Sequence, residues 1–207
     1  MCPLTKKSSI GLIILAAGAS SRMGKPKQLL PFSGHSLIQH MVESGLTSRC
    51  FPVVVVLGAN ASLIKLEIAE LPVFVTENPQ WADGMGSSIR AGMEMLLTVN
   101  PHVEGVLIML CDQPYVKATL LNHFIEEYQT TRKPLIASSY ADTLGVPAFF
   151  HKMYFPVLQQ LTGQEGARRI IASASEVHTI PFPEGKVDID TPEDYLNLSA
   201  DSKTDVL

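Results

Sequence analysis

Cysteine is scarce in this sequence: three residues in 207, Cys2, Cys50 and Cys111. An odd number with no CxxC or metal-type spacing excludes a disulfide framework and a thiolate zinc site, and leaves Cys50 and Cys111 as expected buried free thiols. Charge is scarce too, at 17% of residues, and 16 Lys plus Arg against 20 Asp plus Glu leave a formal −4. Bulk electrostatics therefore does not hold this chain to nucleic acid or to an acidic membrane, and a polyanionic ligand would need a local pocket. No apolar run approaches the roughly 20 residues of a membrane span. The N-terminus offers only about eight apolar-leaning residues after Lys6-Lys7, without a convincing cleavage site, so a cytoplasmic protein is expected. The six histidines, at 35, 40, 102, 123, 151 and 178, lack the i, i+4 pairing of a zinc helix, and no GxSxG is present. No repeat, charge block or Gly/Ser linker divides the chain. One domain over 1–200 with a frayed tail at 201–207 is expected.

What the sequence does have is apolar surface: 46% hydrophobic residues, enough for a full core. Near-continuous apolar runs at 10–16, 52–57 and 105–110 end at glycine or at Cys111-Asp112, as central strands buried on both faces do. Shorter runs at 72–76, 134–138, 146–150 and 177–180 predict further strands, the later ones edge or antiparallel because prolines sit in or beside them. Helical spacing covers 37–46, 62–71, 85–97, 118–128 and 167–174. This alternation predicts an α/β fold, a three-layer, doubly wound, mostly parallel Rossmann-like sheet whose ligands bind outside the carboxyl ends of the strands.

The first strand runs into Leu15-Ala16-Ala17-Gly18-Ala19-Ser20-Ser21-Arg22-Met23-Gly24-Lys25-Pro26-Lys27. Small residues let backbone N–H groups approach an anion, and two lysines and an arginine add charge suited to a triphosphate. Five residues separate Gly18 from Gly24, and Pro26 follows Lys25, so this is not a P-loop. Gly18-Ala19-Ser20 does not supply the GxGxxG of a dinucleotide loop either. Asp112 directly follows a buried strand in Leu110-Cys111-Asp112-Gln113-Pro114, where a hard oxygen ligand suits Mg²⁺ on triphosphate oxygens. Near the end, Asp188 and Asp190 alternate along an extended segment and share a face, while Thr191 and Pro192 read as the N-cap and first residue of a helix.

The string Leu15-Ala16-Ala17-Gly18, Ser20-Ser21-Arg22-Met23-Gly24 and Lys27 resembles the signature of the MobA-like nucleotidyltransferases, and within them the molybdenum cofactor cytidylyltransferase (MocA) branch. The resemblance implies that Leu15, Ala16, Ala17 and Gly18 lie against base and ribose while Arg22 and Lys27 hold phosphates. Trp81-Ala82-Asp83-Gly84-Met85-Gly86-Ser87-Ser88 resembles the branch's Trp-x-x-Gly-Met-x-x-Ser segment and implies nucleotide contacts from Gly84, Met85, Ser87 and Ser88; helix capping is the other role open to either serine. The aspartate of the family's Gly-Asp-Gln-Pro binds magnesium, which implies a metal role for Asp112, with Cys111 standing in the glycine's place. The family's terminal Asp-Ile-Asp-Thr-Pro-Glu-Asp matches 188–194, and implies that Asp190, or else Asp188, completes the metal site. Two segments implied to lie near the acceptor contain Gly145, Pro147 and Arg168, and depart from the family at Val146, where a histidine is common, and Gln164, where an aspartate is common.

Together these residues imply Mg²⁺-dependent transfer of CMP from CTP to a molybdopterin-type acceptor, with Arg22, Lys27 and Asp112 at the reaction centre and a molybdenum hydroxylase as possible client. A sugar-phosphate or alcohol-phosphate nucleotidyltransferase, a guanylyltransferase, and a non-catalytic chaperone delivering the finished cofactor are the alternatives.

Overall fold

The computed structural model describes residues 9–201. Cys2 and all but the first residue of the expected tail lie outside them. Strand β1 (Ile10–Ala16) is central, with β4 (Val53–Leu57) and β6 (Gly105–Leu110) parallel on either side. The seven-stranded sheet runs β5-β4-β1-β6-β8-β7-β9, adding β5 (Phe74–Glu77), β7 (Leu135–Tyr140), β8 (Thr143–His151) and β9 (His178–Pro181). A short hairpin, β2 (Pro31–Phe32) with β3 (His35–Ser36), stands apart.

The two-residue period of a strand places β1 in two cores at once. Ile10, Leu12, Ile14 and Ala16 join the cluster packed with α1 (Leu37–Thr47), α2 (Ala61–Glu67), α4 (Ala118–Thr131) and α7 (Pro192–Asp201). Ile13 and Leu15 face the opposite cluster, under α3 (Met85–Val99), α5 (Phe155–Leu158) and α6 (Ala167–Ser173). Three layers result, the expected architecture. Helix α3 lies close to the sheet because Gly92 has no side chain: a Cβ there would sit 2.8 Å from Ile13.

Three details differ from the sequence expectation. Helix α2 ends at Glu67 and not at 71; the backbone before Pro72 disfavours the helical conformation. The later strands are expected at an edge or antiparallel: β9 is an edge and β8 runs antiparallel to both its neighbours, whereas β7 is interior and parallel to β9. Pro147 is tolerated inside because the β7–β8 register breaks there, Ala137 pairing with Ala148 and Ser138 already with Gly145. The hairpin β2–β3 and helix α5 carried no periodic signal.

Candidate active site

At the carboxyl end of β1 the chain turns away from the sheet while its neighbours β4 and β6 continue to turns of their own, opening a cleft of about 490 Å³. Its wall includes Leu15, Ala16, Ala17, Gly18, Arg22 and Lys27 from the first strand and its loop. The loop is anchored at both ends. Ala59 N–H donates to the Ala17 carbonyl at 3.0 Å. Met23, 6% exposed, plugs the far side into the core, which explains an apolar residue between Arg22 and Gly24.

Lys27 brings together residues 85 and 163 positions away. Its Nζ lies 2.6 Å from Asp112 Oδ2 and 2.9 Å from Asp190 Oδ1, and Arg22 Nη2 lies 2.7 Å from Asp190 Oδ2. The Lys27 and Asp112 side chains are only 14% and 16% exposed, Asp190 35% and Arg22 69%. Burial alone would lower the lysine pKa, but the paired carboxylates outweigh it and hold it above the usual value. Asp190 responds in the opposite sense: burial opposes ionisation, yet bonds to Lys27 and Arg22 hold its carboxyl below the usual range.

Asp112 is delivered by β6, whose ladder extends one step as Cys111 N–H donates to the Leu15 carbonyl at 3.0 Å. The Cys111 side chain turns into the core, 3% exposed, where burial and then the Asp112 charge push its thiol up. The C-terminal segment is fastened to this turn: Ile189 N–H donates to the Asp112 carbonyl at 3.0 Å, and the Ile189 side chain is fully buried. Asp188 and Asp190 consequently both face outward from the core. The Asp188 pKa is raised to about 6, by partial desolvation of its carboxyl and then by the charges of Asp112 and Asp190. Thr191 Oγ1 accepts from Asp194 N, and Asp194 Oδ2 accepts from the amides of Asp190 and Thr191, locking the start of α7 behind the site.

The opposite wall comes from Trp81, Ala82, Gly84, Met85 and Ser88. Asn78, 4% exposed, organises it: its Nδ2 donates to Ser87 Oγ at 2.8 Å and Ser88 Oγ at 3.0 Å, and its Oδ1 accepts from Gln80 N. Gly84 has φ 117°, and a Cβ there would lie 2.4 Å from the Gly163 carbonyl oxygen, so only glycine lets the 162–165 loop close against the start of α3. Gln164 from that loop reaches the cleft.

Not every candidate converges. Ser87 is turned inward, its Oγ 2.8 Å from the carbonyls of both Gln80 and Gly84, and it does not line the cleft; the residue before α3 is Gly84, so neither serine caps the helix. Gly145, Pro147 and Arg168 also lie off the cleft. Gly145 packs under the Tyr140 hydroxyl, the Pro147 carbonyl accepts from Ser138 Oγ at 2.8 Å, and Arg168 bonds the Thr143 hydroxyl. Two residues that sequence reasoning missed are Asn78 and Gln28; each is a buried carboxamide whose partners lie elsewhere along the chain, so no local signal marks it.

For a divalent cation the arrangement fits in one specific way. Asp112 Oδ1 is buried with no hydrogen-bond partner, an acceptor left unsatisfied beside a second carboxylate. Among the described residues no group of three or more His, Cys, Asp or Glu gathers as ligands. Two carboxylates with the remaining positions filled by substrate phosphates and water is how magnesium is held.

The profile of the MobA-like NTP transferase domain matches residues 12–178. Nicotine blue oxidoreductase of Paenarthrobacter nicotinovorans is 34% identical over 163 residues, 75% of this chain and 78% of that protein. The molybdenum cofactor guanylyltransferase of Vibrio cholerae is 28% identical over 200 residues, 95% of this chain and 90% of that protein. Among solved structures, the manganese complex of Rv0371c from Mycobacterium tuberculosis superposes with a TM-score of 0.74 at 27% identity, covering 91% of this chain and 97% of that one.

Proposed function

This chain belongs to the MobA-like NTP transferase family, and on that premise we propose that it moves CMP from CTP to the terminal phosphate of a molybdopterin-type acceptor in the cytoplasm. The observation that carries the reading is the cluster of Lys27, Arg22, Asp112 and Asp190 at the mouth of a cleft walled by a small-residue loop. Support for the acceptor comes from the relative whose name specifies the molybdenum cofactor; support for cytidylyl transfer comes from the resemblance of Trp81-Ala82-Asp83-Gly84-Met85 and Ser88 to the cytidylyltransferase branch.

An acceptor phosphate oxygen attacks the α-phosphorus, the bond to the β-phosphate oxygen breaks, and pyrophosphate leaves. A phosphomonoester has its second pKa near about 6, so at neutral pH it is largely a dianion and needs no strong general base. The protein's work is positioning and charge. Arg22 and Lys27 meet the charge developing on pyrophosphate, and the loop amides orient the triphosphate. Asp112 and Asp190 would hold Mg²⁺, whose contribution when bound is to neutralise phosphate oxygens.

Pyrophosphate release from CTP, GTP, UTP and ATP, each with molybdopterin or a panel of sugar phosphates, tests the assignment. Turnover restricted to sugar phosphates would remove the molybdopterin reading, and no turnover with any pair would favour a carrier. Asp112→Ala should abolish metal-dependent turnover; retained activity would refute its role. A second reading, oxidoreduction, draws on the name of the nicotine blue oxidoreductase relative. Oxidation of a reduced nicotinamide dinucleotide without pyrophosphate release would establish it, although the loop lacks dinucleotide spacing.

A further inference from the structure

Gln28 sits beside Lys27 on the same short helical turn, 27–29, and is 1% exposed. Its Nε2 lies 3.0 Å from the Ala16 carbonyl and 3.0 Å from the Gly18 carbonyl. A carboxamide nitrogen has two hydrogens, so both bonds are made together. Its Oε1 accepts from Ser20 Oγ at 3.3 Å, and Ser20 Oγ in turn accepts from Lys27 N at 3.1 Å. One side chain thus ties the start and the middle of the glycine loop to the residue that carries the ammonium. Packing alone does not call for a glutamine there: an apolar side chain of like volume would fill the space without burying polar atoms.

The geometry has a directional effect. In a planar trans peptide the C=O of one residue and the N–H of the next point oppositely. Holding the Gly18 carbonyl on Gln28 turns the Ala19 N–H away from it. Among the described residues, the amides of Gly18, Ala19, Ser21 and Arg22 donate to no protein acceptor, and Gly18, Ala19, Ser21 and Arg22 all line the cleft. These residues bring unpaired donors to the cleft wall, a chemistry suited to phosphate oxygens.

We propose that Gln28 is a positioning residue for the triphosphate: held between the Ala16 and Gly18 carbonyls and the Ser20 hydroxyl, it fixes the loop with its unpaired N–H groups available to phosphate. It acts through the loop, and it rests on the nucleotidyltransferase reading. Gln28→Met keeps the volume and removes both donors; Gln28→Glu keeps the shape and sets a carboxylate against two carbonyls; Ser20→Ala removes only the outer bonds.

Binding of pyrophosphate, and of whichever of CTP, GTP, UTP or ATP the wild-type protein prefers together with its diphosphate, monophosphate and nucleoside, is measured calorimetrically with Mg²⁺ present. Gln28→Met and Gln28→Glu should weaken the triphosphate and pyrophosphate about tenfold or more, with a loss that shrinks as phosphates are removed and the nucleoside changed less than about twofold. Ser20→Ala should follow the same gradient, about threefold at the triphosphate. Equal losses along the series, or none, would overturn the positioning role while wild-type binding left the nucleotidyltransferase reading standing. A wild-type protein that binds neither triphosphate nor pyrophosphate overturns both. Should the Gln28 variants fail to fold by circular dichroism, the gradient in Ser20→Ala decides.

Discussion

Replacing Lys27 by Met takes the shared cation from between Asp112 and Asp190. Removing one partner from a fully buried ion pair costs about 3–5 kcal/mol because a buried charge is left alone, whereas exposed pairs contribute about 0–1 kcal/mol. Here one carboxylate is 16% exposed and the other 35%, with Arg22 still bound to the latter. An intermediate loss of about 2–3 kcal/mol follows, or a fall of roughly 5–10 °C in Tm for a chain of this size. The lysine pKa is raised above 10.5 in the folded protein. Its stabilisation is therefore complete below the unfolded lysine pKa and fades as pH rises through the folded one, so the gap between wild type and variant should hold at neutral pH and narrow in strong alkali. Millimolar Mn²⁺ should recover part of the loss, raising the variant's Tm more than the wild type's, since only in the variant is the position between Asp112 and Asp190 free of the lysine ammonium. Scanning calorimetry with and without Mn²⁺ measures both effects. A fall in Tm below about 1 °C, or equal Mn²⁺ shifts in the two proteins, would refute the reasoning.

Asp188, with its folded pKa raised to about 6, destabilises the protein as pH rises above its unfolded value near 4. Asp188→Asn should accordingly stabilise the metal-free protein at pH 7–8 by about 1 kcal/mol, discounted for the residue's exposure, with the gain vanishing below about pH 4; denaturant melts across pH would show it, and a pH-independent difference would contradict it. Gly84→Ala meets both a left-handed backbone and the Gly163 carbonyl. It should cost roughly 2 kcal/mol or more and loosen the 162–165 loop, visible as faster amide exchange at Gly86, which donates to Gly163; unchanged exchange there would argue against this packing role.

Much of this was legible in the sequence, for physical reasons. The bounds of β1 and β6 follow from unbroken apolar runs that only a strand covered on both faces can bury. The outward alternation of Asp188 and Asp190 follows from Ile189 between them, which the core claims. Other features were not legible because they depend on distant partners. Nothing local to Lys27 announces carboxylates 85 and 163 residues away. The inward turn of Ser87 beside the cleft-lining Ser88 depends on Asn78 and on helix phase. Pro147 reads as the mark of an edge or antiparallel strand, and β8 is antiparallel; its place inside the sheet was not legible, because it depends on a register break, a property of two strands together.

The attachment of residues 187–191 to the Asp112 turn also sets an order of events on the ribosome. All seven strands of the main sheet are specified once residue 181 has been made, but Asp190 comes later and α7, which locks it, later still. At about 5–20 residues per second, the stretch from 182 to 190 takes on the order of a second. A nascent chain can thus complete its sheet and glycine loop while the cation of Lys27 has only Asp112 to pair with, and Asp190 joins the cluster only after the sheet is made.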